Sequence, residues 1–122
     1  MTAQDSSLWP PELDALVAAP EHHTLLFENE RVRVIETRIP PGQTTRMHTH
    51  CWPAVLHTLS RSHVLRRDHQ GRTLFDSRTT APVTPPAAIA WTGPFPPHTL
   101  ENVGENELRV IATEIKDGHG FA

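Results

Sequence analysis

The sequence predicts an all-β chain, a sandwich or barrel of short strands, and three observations lead there. Twelve prolines in 122 residues break the chain into short pieces, because proline fixes φ and donates no backbone hydrogen bond. The apolar residues between those breaks form runs of strand length, with Val32, Val34, Ile35 and Ile39 the clearest set. Turn signals such as Pro40-Pro41-Gly42 separate the runs. A chain of 122 residues has room for one core.

The elements follow in order. One segment reads as a helix, Pro11 to Ala19: Ser6 and Ser7 precede it, Pro10-Pro11 suits a first turn, and Leu13, Leu16 and Val17 share a face. Pro20 ends it. Strands are then expected at His23 to Phe27 and Arg31 to Ile39, around Glu28-Asn29-Glu30. Further strands are expected at Thr45–His50, Ala54–Ser60, His63–Arg67, Thr73–Asp76, Ala87–Trp91, His98–Val103 and Leu108–Ile115. Asp68-His69-Gln70-Gly71 and Gly104-Glu105-Asn106 read as hairpin connections. The chain therefore divides into an N-terminal extension with a short helix (1–21), a single barrel (22–116) and a C-terminal tail (117–122).

Composition excludes several classes of function. The net charge is −3, and the Lys and Arg residues are scattered, so no basic stripe invites nucleic acid. A single cysteine, Cys51, forms no internal disulfide and suits a reducing compartment. Met1 to Pro11 lack the basic start and apolar stretch of a signal peptide. No apolar run approaches the roughly 18 residues of a membrane span. The expectation is a soluble cytoplasmic protein acting on a small molecule, with neither nucleic acid nor membrane as partner.

The nine histidines carry the chemistry. His48 and His50 lie two apart in a segment of strand character, so both imidazoles project from one face, about 7 Å apart at Cα. Two neutral imidazoles in that arrangement reach one metal ion. His98 opens a later strand, and Asn102 follows it with the same parity. If the two strands are neighbours, His98 completes one face of a coordination sphere. Imidazole suits iron, zinc, copper and nickel alike, so the residues do not choose among these metals.

These residues also carry a resemblance. Gly42, the spacer Gln43-Thr44-Thr45-Arg46-Met47 and His48-Thr49-His50 match the first half of the cupin family's first motif, and His98-Thr99-Leu100-Glu101-Asn102 matches the His-x-x-x-Asn end of its second. Over roughly 22–116 the chain resembles small single-domain bacterial cupins. The resemblance implies a double-stranded β-helix, a jelly-roll barrel, holding one divalent transition metal: iron or zinc first, with nickel, manganese or copper as alternatives. Two departures stand out. The motif's glutamate falls at Ala54 or Val55, and the Pro-x-Gly-x-x-His approach becomes Gly93-Pro94-Phe95-Pro96-Pro97 before His98. Cupins with three histidines and no carboxylate include thiol dioxygenases and diketone-cleaving dioxygenases, so the expected ligand set is His48, His50 and His98.

Other residues are placed around that set. Asn102 is expected to be a hydrogen-bonding support, and Ala54 to leave space beside the metal for water or a substrate oxygen. Trp52 and Phe95 are expected at the mouth of a pocket, and Trp91 in the core. His57 and Cys51 have the parity of the opposite face. His22, His23, His63, His69 and His119 are expected in solvent, and Glu36 and Arg38 on a salt-bridged outer face.

The resulting expectation is a metal-dependent, dioxygenase-like enzyme acting on a small anionic organic substrate. The alternatives are a redox-neutral isomerase or lyase, and a non-catalytic cupin that binds or senses a metal or small molecule. A homodimer is expected, with the segment before residue 30 packed over its partner or over its own barrel.

Overall fold

The computed structural model describes residues 9–79 and 88–116. Nine strands follow a short N-terminal helical segment: β1 (His23–Glu28), β2 (Val32–Ile39), β3 (His48–His50), β4 (Ala54–Ser60), β5 (Val64–Asp68), β6 (Thr73–Asp76), β7 (Ile89–Thr92), β8 (Phe95–Asn102) and β9 (Leu108–Ile115). They form a five-stranded sheet in the order β1-β2-β9-β4-β7 and a four-stranded sheet in the order β3-β8-β5-β6. A cavity between them is lined from both.

Alternation along β2 decides which side of the larger sheet is core. Arg33, Ile35 and Ile39 are buried, whereas Arg38 is exposed. In register with β2 across β9 stand Ala112 opposite Ile35 and Leu108 opposite Ile39, all four buried. The other face carries the expected salt bridges, Glu36 with Arg109 and Arg38 with Glu107. The turn at Pro40-Pro41-Gly42 places Gly42 at φ +82°, a conformation glycine adopts without Cβ strain.

Asn102 clamps that turn. Its backbone accepts from Gly42 N and donates to Gln43 O. Its side chain donates to Ile39 O and Asn106 O, and accepts from Ser62 Oγ and Gly104 N. Asn102 is fully buried and fully bonded, and it supports the turn.

Four sequence expectations need correction. The helix is shorter than Pro11 to Ala19: a 3-10 turn at Pro11–Leu13 and a single α-turn, α1 (Ala15–Ala18), are separated by Asp14. Asp14 has extended backbone angles (φ −53°, ψ 141°) and caps α1, accepting from Leu16 N at 3.1 Å. His98 does not open its strand, since β8 begins at Phe95. Pro96 and Pro97 are tolerated there because the pairing with β5 starts only at His98. The segment after Asn102 joins the two sheets instead of turning a hairpin, because β8 and β9 lie in different sheets. Trp91 is 64% exposed: Ala90 and Thr92 line the cavity, so alternation turns Trp91 outward.

The N-terminal segment packs on its own barrel, against β1 and β3, with Ala15 and Ala19 fully buried. Ser6, Ser7, His119 and the tail lie outside the described residues. No helix among the described residues is long and apolar enough to cross a membrane.

Candidate metal centre

β3 and β8 bring the expected histidines together. His48 pairs in register with His98, and a bulge after His48 sets His50 opposite Phe95. The ring of His48 lies 4.4 Å from that of His98 and 5.0 Å from that of His50, centre to centre. A further ring joins from the opposite sheet: His23, at the start of β1, lies 4.5 Å from His48 and 5.4 Å from His50. One ring nitrogen from each of His23, His48 and His50 lies within 4.8 Å of the others.

Every one of these rings is held through Nδ1. His23 Nδ1 meets Ala19 O at 2.9 Å, His48 Nδ1 meets Arg46 O at 2.8 Å, and His98 Nδ1 meets Pro96 O at 2.7 Å. His50 Nδ1 meets Glu114 Oε2 at 3.1 Å. A carbonyl or carboxylate oxygen only accepts, so the Nδ1 of each ring carries the proton and donates it, leaving the Nε2 lone pair as the free donor atom. Burial, reinforced by neighbouring imidazoles, lowers the pKa of His23 to about 4, of His48 to about 2 and of His98 to about 3. These three rings are neutral near pH 7. Neutral imidazoles with their protons tied back are the ligand form a divalent transition metal requires. The ligand nitrogens of His23, His48 and His50 lie close enough together to share one cation, so these residues fit a metal, while His98 stands beside His48 outside that close group.

The missing motif glutamate has a counterpart one strand away. Ala54 is buried and stands in register with Glu114 of β9. Glu114, only 1% exposed, accepts from Arg33 Nε at 2.7 Å as well as from His50. Arg33 in turn grips both carboxylate oxygens of Asp14, at 2.7 and 3.0 Å. A buried chain thus runs Asp14–Arg33–Glu114–His50. Its carboxylate acts behind a histidine. Trp52 covers it, with the Arg33 guanidinium carbon 4.9 Å from its ring.

The histidines lie along one part of a cavity of about 750 Å³, within the range of small-molecule sites. Trp52, Ala54 and Phe95 line it, with Phe95 5.4 Å from His98. His57 is exposed and outside the lining, and Cys51 is half-buried outside it with its thiol pKa pushed up by burial. Expected in solvent, His63 and His69 are exposed, while His22 bonds Gln43 at 2.8 Å.

His23 overturns its expected place in solvent: it is 4% exposed. The signal was available in His22-His23 at a strand start, because neighbours on a strand face opposite ways and one had to point inward. Glu114 and Arg66, also in the lining, carry no local motif. Only the sheet pairing reveals them.

No protein-family model and no curated protein matches the chain. Solved structures do. A cupin domain from Bordetella pertussis Tohama I is 27% identical, covering 78% of this chain and 92% of that one, with a TM-score of 0.60. An RmlC-like cupin with a double-stranded β-helix fold from Methanocaldococcus jannaschii is 12% identical over 81% of this chain and 84% of its own, with a TM-score of 0.51. A polyketide cyclase from Streptomyces resistomycificus is 20% identical over 78% of this chain and 64% of its own, with a TM-score of 0.51.

Proposed function

From the premise that this chain is a small single-domain member of the cupin superfamily, we propose that it is a metal-dependent enzyme acting on a small anionic organic substrate. The observation that carries this reading is the set of His23, His48, His50 and His98, each tied through Nδ1 so that Nε2 is free beside a cavity of about 750 Å³. His48, His50 and His98 are the ligands proposed from the sequence, and His23 joins them. A bound divalent ion would supply Lewis-acid activation of a substrate oxygen and, as iron, a site for O2.

The chain's own residues do the rest. Glu114 holds the Nδ1 proton of His50 and places negative charge behind the ligand set. Both Glu114 oxygens are engaged, by Arg33 and His50, which leaves no free carboxylate among the described lining residues as a general base and favours chemistry at the ion. Leu56, Val110 and Ala112 give the cavity apolar walls.

Self-association belongs to the same proposal. Phe27, Val34, Thr113, Val55 and Trp91 form one register line across the five-stranded sheet. Phe27 and Trp91 on that line are 54% and 64% exposed. A homodimer would cover this face.

The test is reconstitution of the purified chain with Fe(II) or Zn(II), followed by oxygen uptake and turnover measurements on a panel of small carboxylates and enolates. Turnover dependent on the bound ion supports the enzyme. Tight metal binding with no turnover across the panel supports a binding or sensing protein instead.

A further inference from the structure

Among the groups lining the cavity, Arg66 bonds none of the histidines and has no acidic partner among the described residues. It projects from β5, in register with Leu100 on one side and Phe75 on the other. Its guanidinium carbon lies 4.5 Å from the ring centre of Phe95 and 5.8 Å from that of Phe75. Stacking satisfies the face of a guanidinium, whereas its hydrogen bonds are made at the edge. The Arg66 Nε is buried without a hydrogen-bond partner among the described residues. Burial alone lowers its pKa, with no carboxylate raising it in return. The contrast with Arg33, which holds two acids, is plain.

A charged donor buried without an acceptor is costly, and a cavity is where such a cost is relieved by a ligand. Glu114 is the acidic residue among the described residues of the lining, and Arg33 and His50 already occupy it. Phe95 is shared between Arg66, at 4.5 Å, and His98, at 5.4 Å, so a molecule of modest length reaches from the guanidinium to the histidines.

We propose that Arg66 anchors the carboxylate of the substrate, whose flat or apolar body packs on Phe95 and Phe75 and whose other end reaches the histidines. This deepens the proposed function and rests on it for the orientation of the ligand, not for the anion site itself. The substrate class is a small organic acid carrying an oxygen donor remote from its carboxylate. Arg suits that task because its planar fork matches a carboxylate in two parallel hydrogen bonds.

The experiment uses benzoate as probe, with benzamide as its neutral counterpart, titrated calorimetrically into the metal-loaded chain and its Arg66→Gln and Arg66→Lys variants. Benzoate is expected to bind wild type at least about tenfold more tightly than benzamide, and to lose about tenfold or more in Arg66→Gln. Arg66→Lys is expected to recover part of that loss, since charge returns without the fork. Metal content is expected to be equal in all three chains. Benzoate affinity unchanged in Arg66→Gln overturns the proposal, as does equal binding of benzoate and benzamide to wild type, a comparison that needs no variant to fold. A chain that takes up no metal yet keeps the Arg66-dependent preference for benzoate would refute the metal reading and leave the anion site standing.

Discussion

Replacing Glu114 with Gln removes one charge at the centre of the Asp14–Arg33–Glu114–His50 chain while keeping the side chain's shape. The wild-type carboxylate is 1% exposed and bonds Arg33 at 2.7 Å and His50 at 3.1 Å. Removing one partner of a buried ion pair costs about 3–5 kcal/mol. Arg33 retains both bonds to Asp14, which places the expected loss at the lower end, about 3 kcal/mol. The amide oxygen of Gln still accepts the His50 Nδ1 proton, so the tautomer survives and the loss at the metal is electrostatic. Loss of such a supporting group weakens metal binding by about 10–100-fold, or about 1.4–2.7 kcal/mol. Urea unfolding of the metal-free chain reads the first number, and a competition titration with a chromophoric chelator reads the second. Stability lost with metal affinity within twofold of wild type would refute the claim that Glu114 acts on the site through His50.

Three further outcomes follow from the same geometry. His23, His48 and His98 have folded pKa values of about 4, 2 and 3 against 6.5. The unfolded chain therefore binds more protons as pH falls, and the stability these groups contribute is full above about 6.5 and erodes below it. The metal-free chain should lose about 1.6 kcal/mol per buried histidine between pH 6.5 and pH 5, and a urea midpoint constant over that window would contradict the neutral, buried assignment. Ala54→Glu sets a second carboxylate beside Glu114 in register and is expected to raise metal affinity while weakening benzoate binding; a chelator titration showing no change would mean that Ala54 does not border the metal. Trp91→Glu on the exposed face of β7 should convert a dimer to a monomer in sedimentation velocity at micromolar concentration, and a wild-type monomer would remove the homodimer from the account.

Much of this arrangement was legible in the residue order, for physical reasons that differ from element to element. β4, β6 and β9 match their expected bounds because proline, glycine or charged turns flank apolar runs on both sides. The i, i+2 spacing of His48 and His50 required one face, and Gly42 supplied the positive φ of the turn before them. Asp14 was misread within a helix because its partner, Arg33, is remote in sequence and local propensity does not register it. Trp91 was misplaced because aromatic character outweighed strand parity. Glu114 is set beside His50 only by the pairing of β9 with β2 and β4, which residue order does not display, whereas the inward turn of His23 was open to strand parity.

The measurement that bears most directly on the metal centre is X-ray absorption on the zinc-loaded chain, paired with metal content for the separate His23→Ala, His48→Ala, His50→Ala and His98→Ala variants. One ion per chain is expected, with a first shell of nitrogen and oxygen carrying the multiple-scattering signature of several imidazoles, and reduced metal in each variant that still folds. A shell containing sulfur, or full metal content in the folded His48→Ala variant, would contradict that expectation.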